Sequence, residues 1–271
     1  MIEAIRNTLI MIRGAGDLAT GTAIRLHNSG FPLIMLEIAK PTVIRTTVSF
    51  AAAMYTGRQT VEGITAVKAS PAEALSIIEE GMIPIVEDPE GIMIQDMKPE
   101  IVIDAIIAKR NLGTGMGMAP FTIALGPGFE AGKDVDAVIE TQRGHRLGSI
   151  IREGFAAPNT GIPGMIGGYG KERVMHSPCQ GIFRAERRIG DIVKEGDIVA
   201  YVSDTPVRTL IPGKIRGMLI SGLEVPEGFK VADVDPRGEK TDHLTVSDKA
   251  RSIAGGVLEA VMHYLSYGSG R

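Results

Sequence analysis

Cysteine, tryptophan and long apolar runs are scarce or missing in this chain, and each absence excludes a class of protein. The one cysteine, Cys179, cannot form a disulfide within the chain, which predicts a protein of the reducing cytoplasm. No apolar run approaches the length of a transmembrane helix, and the apolar stretch before Arg13 is too short for a signal peptide. With no tryptophan and 4% aromatic residues, the core must be built from aliphatic side chains.

The charge of the chain is nearly balanced, with a formal net charge of -3. Electrostatic binding to nucleic acid or to anionic lipid over a large surface needs an excess of clustered lysine and arginine, so the sequence predicts neither partner. The five histidines are scattered and show no zinc-ligand spacing, which predicts no dedicated metal site. A length of 271 residues allows one large domain or two ordinary ones, and it leaves a homo-oligomer open.

The first part of the chain has the pattern of a βαβ unit. Residues 8–12 form a short apolar run, a glycine turn follows, residues 17–28 have helical spacing, and residues 33–36 form a second apolar run that ends at Glu37. Further apolar runs near 83–86, 101–103, 121–125 and 137–139 complete a mostly parallel sheet. The sequence therefore predicts an α/β fold in which residues 1–172 form a Rossmann-like, doubly wound, dinucleotide-binding-type domain.

The last hundred residues have a different character. Short strands alternate with turns, and residues 175–183 and 209–215 resemble two copies of one theme on either side of a Gly-Asp turn segment at 189–199. This arrangement resembles the lipoyl/biotinyl barrel-sandwich hybrid. Residues 173–271 are therefore predicted to form a small barrel-sandwich-hybrid-like β-domain with a C-terminal helix over 247–266. The hairpin at 202–206 lacks the lysine that a biotin or lipoyl carrier needs.

The glycine turn after the first strand is the main candidate binding site. Glycines at this spacing let backbone N–H groups approach a pyrophosphate at a helix N-terminus, and an acid at the end of the second strand can bond ribose hydroxyls. The candidate cofactor-binding residues here are Gly14, Gly16, Asp17, Leu18, Ala19, Thr20 and Glu37. The alternative is a Rossmann-like fold that binds no nucleotide.

Other predicted strand ends carry further candidates. Asp104 follows one strand, Gly126 and Gly128 follow another, and Arg143 and His145 lie in a glycine-flanked loop after a third. Because parallel strands present their carboxyl ends at one edge, we expect these residues to converge on one cleft that suits a phosphate. Solvated loops are the alternative, and no partner can be placed that would make His145 a general base.

Several long stretches of the chain resemble the YqeB family, the accessory proteins of the selenium-dependent molybdenum hydroxylase system. The matching stretches are RGAGDLATGTAIRLHNSGFPLIMLE (13–37), KPTVIR (40–45), VSFAAAMY (48–55), KPEIVIDAIIAKRNLGT (98–114), ALGPGFEAGKDVDAVIETQRGHRLG (124–148), PNTGIPGMIGGY (158–169), DVDPRG (233–238) and SDKARSIAGGVLEAV (247–261). The resemblance implies a maturation factor rather than a turnover enzyme. It implies handling of the molybdenum cofactor, or delivery of selenium to a molybdenum hydroxylase apoenzyme as partner. It carries over no catalytic residue.

Two functions are therefore expected. The first is maturation of a selenium-dependent molybdenum hydroxylase by a chain that binds a nucleotide- or molybdopterin-type ligand. The second is an NAD(P)-dependent oxidoreductase, which would need an acid–base residue beside the nicotinamide. The candidate cofactors are accordingly the molybdenum cofactor (molybdopterin) or NAD(P), and either reading requires a small phosphate-containing ligand.

Overall fold

The structure is a computed structural model that describes residues 2–161 and 164–268, and it divides into two compact units. The first unit comprises the chain up to Pro41, Ser49–Asn159, and the chain from Val246 onward. The second comprises Thr42–Val48 and Thr160–Thr245. The sequence places one boundary near residue 172, whereas this division assigns the C-terminal helix to the first unit and a short early segment to the second.

The strands of the first unit occupy its described residues as follows. They are β1 (Ile10–Arg13), β2 (Leu33–Glu37), β3 (Arg58–Val61), β4 (Ile64–Ala69), β5 (Ile83–Glu87), β6 (Ile101–Asp104), β7 (Phe121–Leu125), β8 (Glu130–Ala131), β9 (Ala137–Ile139), β10 (Ile150–Ile151) and β11 (Gly154–Phe155). Nine of them form one sheet in the order β10-β9-β7-β6-β1-β2-β5-β4-β3, as far as the described residues show. The short strands β8 and β11 pair separately and antiparallel.

The large sheet is mixed. Its strands from β9 to β4 run parallel, but both edge strands, β10 and β3, are antiparallel to their neighbours. The chain passes from β6 to β7 through a loop with a single 3-10 turn at Met116–Met118, where a doubly wound sheet has a helix. The predicted fold class, a Rossmann-like doubly wound parallel sheet followed by a barrel-sandwich-hybrid-like domain, is therefore wrong. The molecule instead has one mixed sheet and separate antiparallel sheets.

Helices are few and mostly short. They are α1 (Ile2–Asn7), α2 (Asp17–Asn28), α3 (Ala53–Thr56), α4 (Ala74–Glu79), α5 (Ile92–Met97) and α6 (Asp248–Tyr267). Helix α6 packs on α2 so closely that a Cβ added to Gly21 would lie 2.8 Å from the Cβ of Ala250. The side chain of Ser247 caps α6 by accepting the N–H of Ala250, which confirms the predicted helix start.

Two local features of the structure follow from turn chemistry that is visible in the sequence. Strands β3 and β4 form a hairpin whose turn residues, Glu62 and Gly63, both have positive φ. Ser70 and Glu73 form a reciprocal capping box with Pro71 at the first helical position. The helical segment begins there as a 3-10 turn at Pro71–Glu73 and continues as α4.

The second unit consists of antiparallel strands. They are β12 (Val174–His176), β13 (Gly181–Ala185), β14 (Ile192–Val193), β15 (Ile198–Val202), β16 (Thr205–Arg208), β17 (Gly213–Met218), β18 (Glu224–Val225) and β19 (Lys230–Asp235). In the described residues they form two four-stranded sheets, β12-β19-β17-β14 and β16-β15-β13-β18. Alternating inward residues such as Phe183, Val199 and Ile215 are fully buried, which gives this unit an aliphatic core of its own.

The glycine-rich segment that the sequence marks as a linker or a binding loop, 155–170, includes Ile162 and Pro163, which lie outside the described residues. The family stretch at 158–169 is affected in the same way. Across residues 2–161 and 164–268, no helix is both long enough and apolar enough to cross a membrane.

Candidate functional site

A pocket opens in the first unit where strands β1, β2 and β5 end, and we call it the strand-end pocket. Its volume is about 370 Å³, within the range of sites that bind small organic molecules. Its lining residues are Arg13, Gly14, Leu36, Glu37, Ile38, Asp88, Pro89, Glu90, Ile106 and Leu112. Aliphatic side chains thus surround a small number of polar groups, as is usual for such sites.

Glu37, the last residue of β2, is fixed in this pocket by backbone N–H groups. Its Oε2 accepts the N–H of Ala15 at 2.8 Å, and its Oε1 accepts the N–H of Ile38 at 2.8 Å. Burial raises the pKa of the carboxyl group, although these two N–H groups act in the opposite direction. Each carboxylate oxygen keeps a further lone pair, so Glu37 presents an oriented acceptor to the pocket.

A buried network behind the pocket joins two strand-end residues, Arg13 and Asp104, through the loop residue Thr114. Arg13, 3% exposed, donates from Nη1 to Oγ1 of Thr114 at 2.6 Å and from Nη2 to the carbonyl oxygen of Pro89 at 3.0 Å. The Thr114 hydroxyl in turn donates to Oδ2 of Asp104 at 2.6 Å. Burial raises the pKa of Asp104, against the hydrogen bonds from Thr114 and Ile106 and the charge of Arg13. Asp104 therefore anchors a loop and does not line the pocket.

Gly14 serves close packing of the chain. Its φ is +94°, and an added Cβ would lie 2.9 Å from the carbonyl oxygen of Ala105. The N–H of Gly14 is donated to the carbonyl oxygen of Leu36 at 2.7 Å, and that of Ala15 to Glu37. Two N–H groups of the predicted phosphate-binding turn are thus used inside the protein.

The start of α2 is well packed. Gly16 is the N-cap and no side chain caps the helix there. Leu18, Ala19 and Thr20 are buried, and the Thr20 hydroxyl accepts the N–H of Phe50 at 2.8 Å. The predicted contact of Gly16 to Thr20 with a phosphate stays a prediction.

Gly126 and Gly128, after β7, also lie against other parts of the chain. An added Cβ would come within 2.6 Å of Oγ1 of Thr141 at Gly126, and within 2.6 Å of the backbone nitrogen of Arg110 at Gly128. Both glycines therefore permit close approach of neighbouring loops, which is a structural role.

Arg143 and His145 lie elsewhere, in a groove of about 880 Å³ beside β9 and β10. We call it the cationic groove; it is lined by Arg143, His145, Arg146, Arg152, Glu153 and Phe155, among others. In the sheet, β9 lies three strands from β1, which corresponds to about 14 Å at ~4.8 Å per strand. The structure therefore places Gly14 and Glu37 in one pocket and Arg143 and His145 in another, and does not bring them into one cleft.

Sequence reasoning missed several residues of the strand-end pocket and its surroundings. Asp88 accepts the N–H groups of Ile92 and Met93 and so fixes the start of α5, and its place directly after an apolar run was an available signal. Thr114 lies in a glycine-rich stretch, a composition typical of an exposed loop, yet its side chain is buried. Sequence reasoning also missed Lys249 of α6, which does not line the pocket; burial lowers its pKa and the charge of Arg143 lowers it further, whereas Asp17 and Glu140 raise it.

Comparison with known proteins identifies a relative by sequence. The chain is 53% identical over 261 residues to the uncharacterised protein YqeB of Escherichia coli K12, an alignment that covers 96% of this chain and 48% of YqeB. The chain thus spans about half the length of the curated relative that it matches. No family model matches the chain. The predicted resemblance to YqeB is confirmed at the level of homology.

Comparison with solved structures gives weak similarities. An aspartoacylase family protein from Mesorhizobium loti matches with a TM-score of 0.27 at 10% identity, covering 84% of each chain. A succinylglutamate desuccinylase/aspartoacylase from Rhodobacter sphaeroides matches with a TM-score of 0.27 at 13% identity, covering 84% of this chain and 85% of that one. TcdA (CsdL) has a TM-score of 0.27 at 16% identity, over 46% of this chain and 51% of that chain. Scores of this size do not transfer an activity.

The comparisons give no support to the function predicted from the sequence. The solved structures named above are aspartoacylase-type and desuccinylase-type proteins and TcdA, at similarities too low to argue for an activity. Neither maturation of a selenium-dependent molybdenum hydroxylase nor the oxidoreductase alternative is therefore carried forward. The relationship to YqeB adds no activity, because that protein is itself uncharacterised.

Proposed function

For this relative of YqeB, we propose that the first unit is a binding module for a small cytosolic ligand that carries neighbouring hydroxyl groups on a ring. The ligand occupies the strand-end pocket, its hydroxyl groups donate to Glu37, and its apolar part lies against the aliphatic wall. The observation that carries this proposal is the carboxylate of Glu37, which two backbone N–H groups hold in a fixed orientation inside a pocket of about 370 Å³.

The charges around the pocket favour a ligand that donates hydrogen bonds over an anionic ligand. Glu37, Asp88 and Glu90 contribute three carboxylates to the lining, and Arg13 contributes one guanidinium. Arg13 directs its Nη atoms to Thr114 and to the carbonyl oxygen of Pro89, so they point at protein acceptors. A hydroxyl donor therefore gains a charge-assisted hydrogen bond here, whereas a phosphate would meet repulsion from the carboxylates.

Order in the wall of the pocket also supports the proposal. Leu112 and Ile106 belong to the loop between β6 and β7, and the Thr114 hydroxyl fastens that loop to Arg13 and Asp104. The Asn111 side chain closes the same loop by accepting the N–H groups of Gly113 and Thr114. A wall that is already ordered costs little further entropy when a ligand binds.

The test uses adenosine as a ring-bound vicinal diol and 2′,3′-dideoxyadenosine as its matched analogue without the hydroxyls, in calorimetric titrations. We expect adenosine to bind and the dideoxy analogue to bind at least tenfold more weakly, because each hydrogen bond to a charged group contributes about 1.5 to 3 kcal/mol. Glu37→Gln should reduce adenosine affinity to near that of the analogue.

Glu87→Gln is the matched control, because Glu87 is the exposed register partner of Glu37 on β5 and does not line the pocket. It should leave adenosine affinity unchanged. Equal binding of adenosine and its dideoxy analogue by the unmodified protein would refute the proposal, as would equal effects of Glu37→Gln and Glu87→Gln. Thermal unfolding of each variant checks that the fold is retained.

A further inference from the structure

The loop between β9 and β10 is irregular but firmly held. The carboxylate of Glu140, 5% exposed, accepts the N–H of Gln142 at 2.7 Å and that of Ala157 at 2.8 Å. On the other side, the Ser252 hydroxyl of α6 donates to the carbonyl oxygen of Leu147 at 2.9 Å. The loop that forms one wall of the cationic groove is thus held by the Glu140 carboxylate and by Ser252 of α6 before any ligand arrives.

Helix α6 brings the loop still closer to the body of the unit. A Cβ added to Gly148 would lie 2.5 Å from the carbonyl oxygen of Ser252, so only glycine allows this approach. Arg143 forms a bidentate pair with Asp248, at 2.7 Å and 3.0 Å, which ties the loop to the first turn of α6. Arg143 is therefore a positioning residue of the groove.

Two other arginines of the groove carry charge without a carboxylate partner. In the described part of the chain, neither Arg146 on the loop nor Arg152 after β10 forms an ion pair, and both are exposed. Of the two acids in the lining, Glu140 uses both carboxylate oxygens for backbone N–H groups, and Glu153 is exposed to solvent. His145 adds a further donor. The groove therefore offers two guanidinium forks, a geometry that matches phosphate oxygens.

An apolar surface completes the groove. Phe155 is 65% exposed and lines the same groove as the two arginines. A large aromatic side chain left in solvent beside unpaired arginines suits a ligand that has an apolar ring as well as a negative group. The volume of about 880 Å³ accommodates both parts.

We propose that the cationic groove is a second binding site of this unit, and that it takes an organic phosphate monoester. The phosphate group is bound by Arg146 and Arg152, and the apolar part of the ester rests on Phe155. The site is separate from the strand-end pocket and does not depend on the function proposed for that pocket.

Phenyl phosphate is the probe, titrated calorimetrically in a phosphate-free buffer, with inorganic phosphate and phenol as its component parts. We expect phenyl phosphate to bind more tightly than either component. Arg146→Gln and Arg152→Gln should each weaken binding about tenfold or more, because each removes a charge-assisted contact. Phe155→Ala should remove the preference for phenyl phosphate over inorganic phosphate and leave the affinity for inorganic phosphate unchanged.

Arg25→Gln is the matched control, since Arg25 is an exposed arginine of α2 that lies outside the groove; it should bind phenyl phosphate as the unmodified protein does. Glu37→Gln should also leave this affinity unchanged, and Arg146→Gln should leave adenosine affinity unchanged, which separates the two proposals. No binding of phenyl phosphate, binding that survives both arginine changes, or binding lost in Glu37→Gln but kept in Arg146→Gln would each overturn the proposal.

Discussion

The two units hold their buried acids in opposite ways. In the first unit, Glu37 and Asp104 are held by backbone N–H groups and a threonine hydroxyl, and burial raises the pKa of both. In the second unit, Asp233 and Asp235, at 1% and 0% exposure, are surrounded by arginines. Glu37, held by neutral donors at the pocket, stays able to accept a hydrogen bond from a ligand, whereas an arginine partner satisfies a carboxylate. This difference distinguishes a candidate binding edge from a structural charge network.

The network of the second unit is compact. Arg216 forms a bidentate contact with Asp233, and buried Arg173 lies 3.8 Å from the same carboxylate while donating to the carbonyl oxygen of Gly164. Burial would raise the pKa of Asp235, but the Arg237 side chain and backbone N–H, with the charge of Arg216, outweigh it and lower that pKa to about 2. The antiparallel strands β17 and β19 thus carry charges that neutralise each other.

The largest expected effect comes from breaking this network. Asp233→Asn should lower the free energy of unfolding by about 3 to 5 kcal/mol, because it removes the buried carboxylate that pairs with the guanidinium groups of both Arg173 and Arg216. Urea titration followed by circular dichroism measures the change. Asp204→Asn, at an exposed turn of the same unit, should change it by less than about 0.5 kcal/mol. A loss at Asp233 no larger than at Asp204 would show that the network is not structural.

An intermediate effect is expected in the first unit. Thr114→Val removes the hydroxyl that joins Arg13 to Asp104, so two buried polar groups lose a partner and the free energy of unfolding should fall by about 2 kcal/mol. Because Leu112 lines the pocket on the same loop, adenosine affinity should fall as well. Thr60→Val is the control, because the Thr60 hydroxyl forms its hydrogen bond with the Thr65 hydroxyl on the exposed side of the β3–β4 hairpin. Unchanged stability and affinity in Thr114→Val would contradict the anchoring role of this loop.

A smaller effect is expected at low pH, where protonation of Asp235 lowers the free energy of unfolding. Its pKa is lowered on folding, so its contribution to stability is present above the ordinary value of 3.8 and is lost as the pH falls to about 2. The shift corresponds to about 2 kcal/mol, which solvent screening near half-exposed Arg237 reduces to about 1 kcal/mol. Unfolding free energies of Asp235→Asn should therefore depend less on pH in this window than those of the unmodified protein. Parallel pH curves for the two would rule this out.

The smallest expected effect is the pH dependence of stability that Glu37 contributes in the first unit. Its sign is opposite to that of Asp235. The pKa of Glu37 is raised on folding, so its folded form binds more protons, and stability should decline as the pH rises from 4.5 through the raised pKa. The two N–H groups that oppose burial keep this decline small. Glu37→Gln should flatten it in thermal unfolding between about pH 4 and about pH 7, and Glu87→Gln should not. A steeper decline in Glu37→Gln would show that the carboxylate is held differently.

Local chemistry was predictable wherever neighbouring residues decide the backbone. The hairpin at Glu62-Gly63, the capping box at Ser70 and Glu73, and the start of α6 at Ser247 all follow from residues within a few positions of each other. Short alternating strands and turns likewise predicted the β-rich region over Val174–Asp235. These signals do not depend on how distant segments meet.

The arrangement of the candidate site was not predictable in the same way. Glycines suggested open walls for a ligand, yet Gly14 faces Ala105 and Gly128 faces Arg110. A glycine reports that something approaches closely, and the sequence does not say whether that is a ligand or another loop. The expectation of one cleft failed because it assumed that strand ends on a common edge are near each other, whereas sheet order sets their separation.

Sequence by itself determined the aliphatic core, the turn types and helix caps, and the presence of an acid at the end of β2, because each depends on composition or on contacts within one turn of chain. Tertiary structure alone decided the order of the strands in the large sheet, the contact of Thr114 with Arg13 across 101 positions, and the pairing of Arg143 with Asp248 across 105 positions. These features join residues far apart in the chain, and their free energy comes from burial and charge pairing that exist only after the chain has folded.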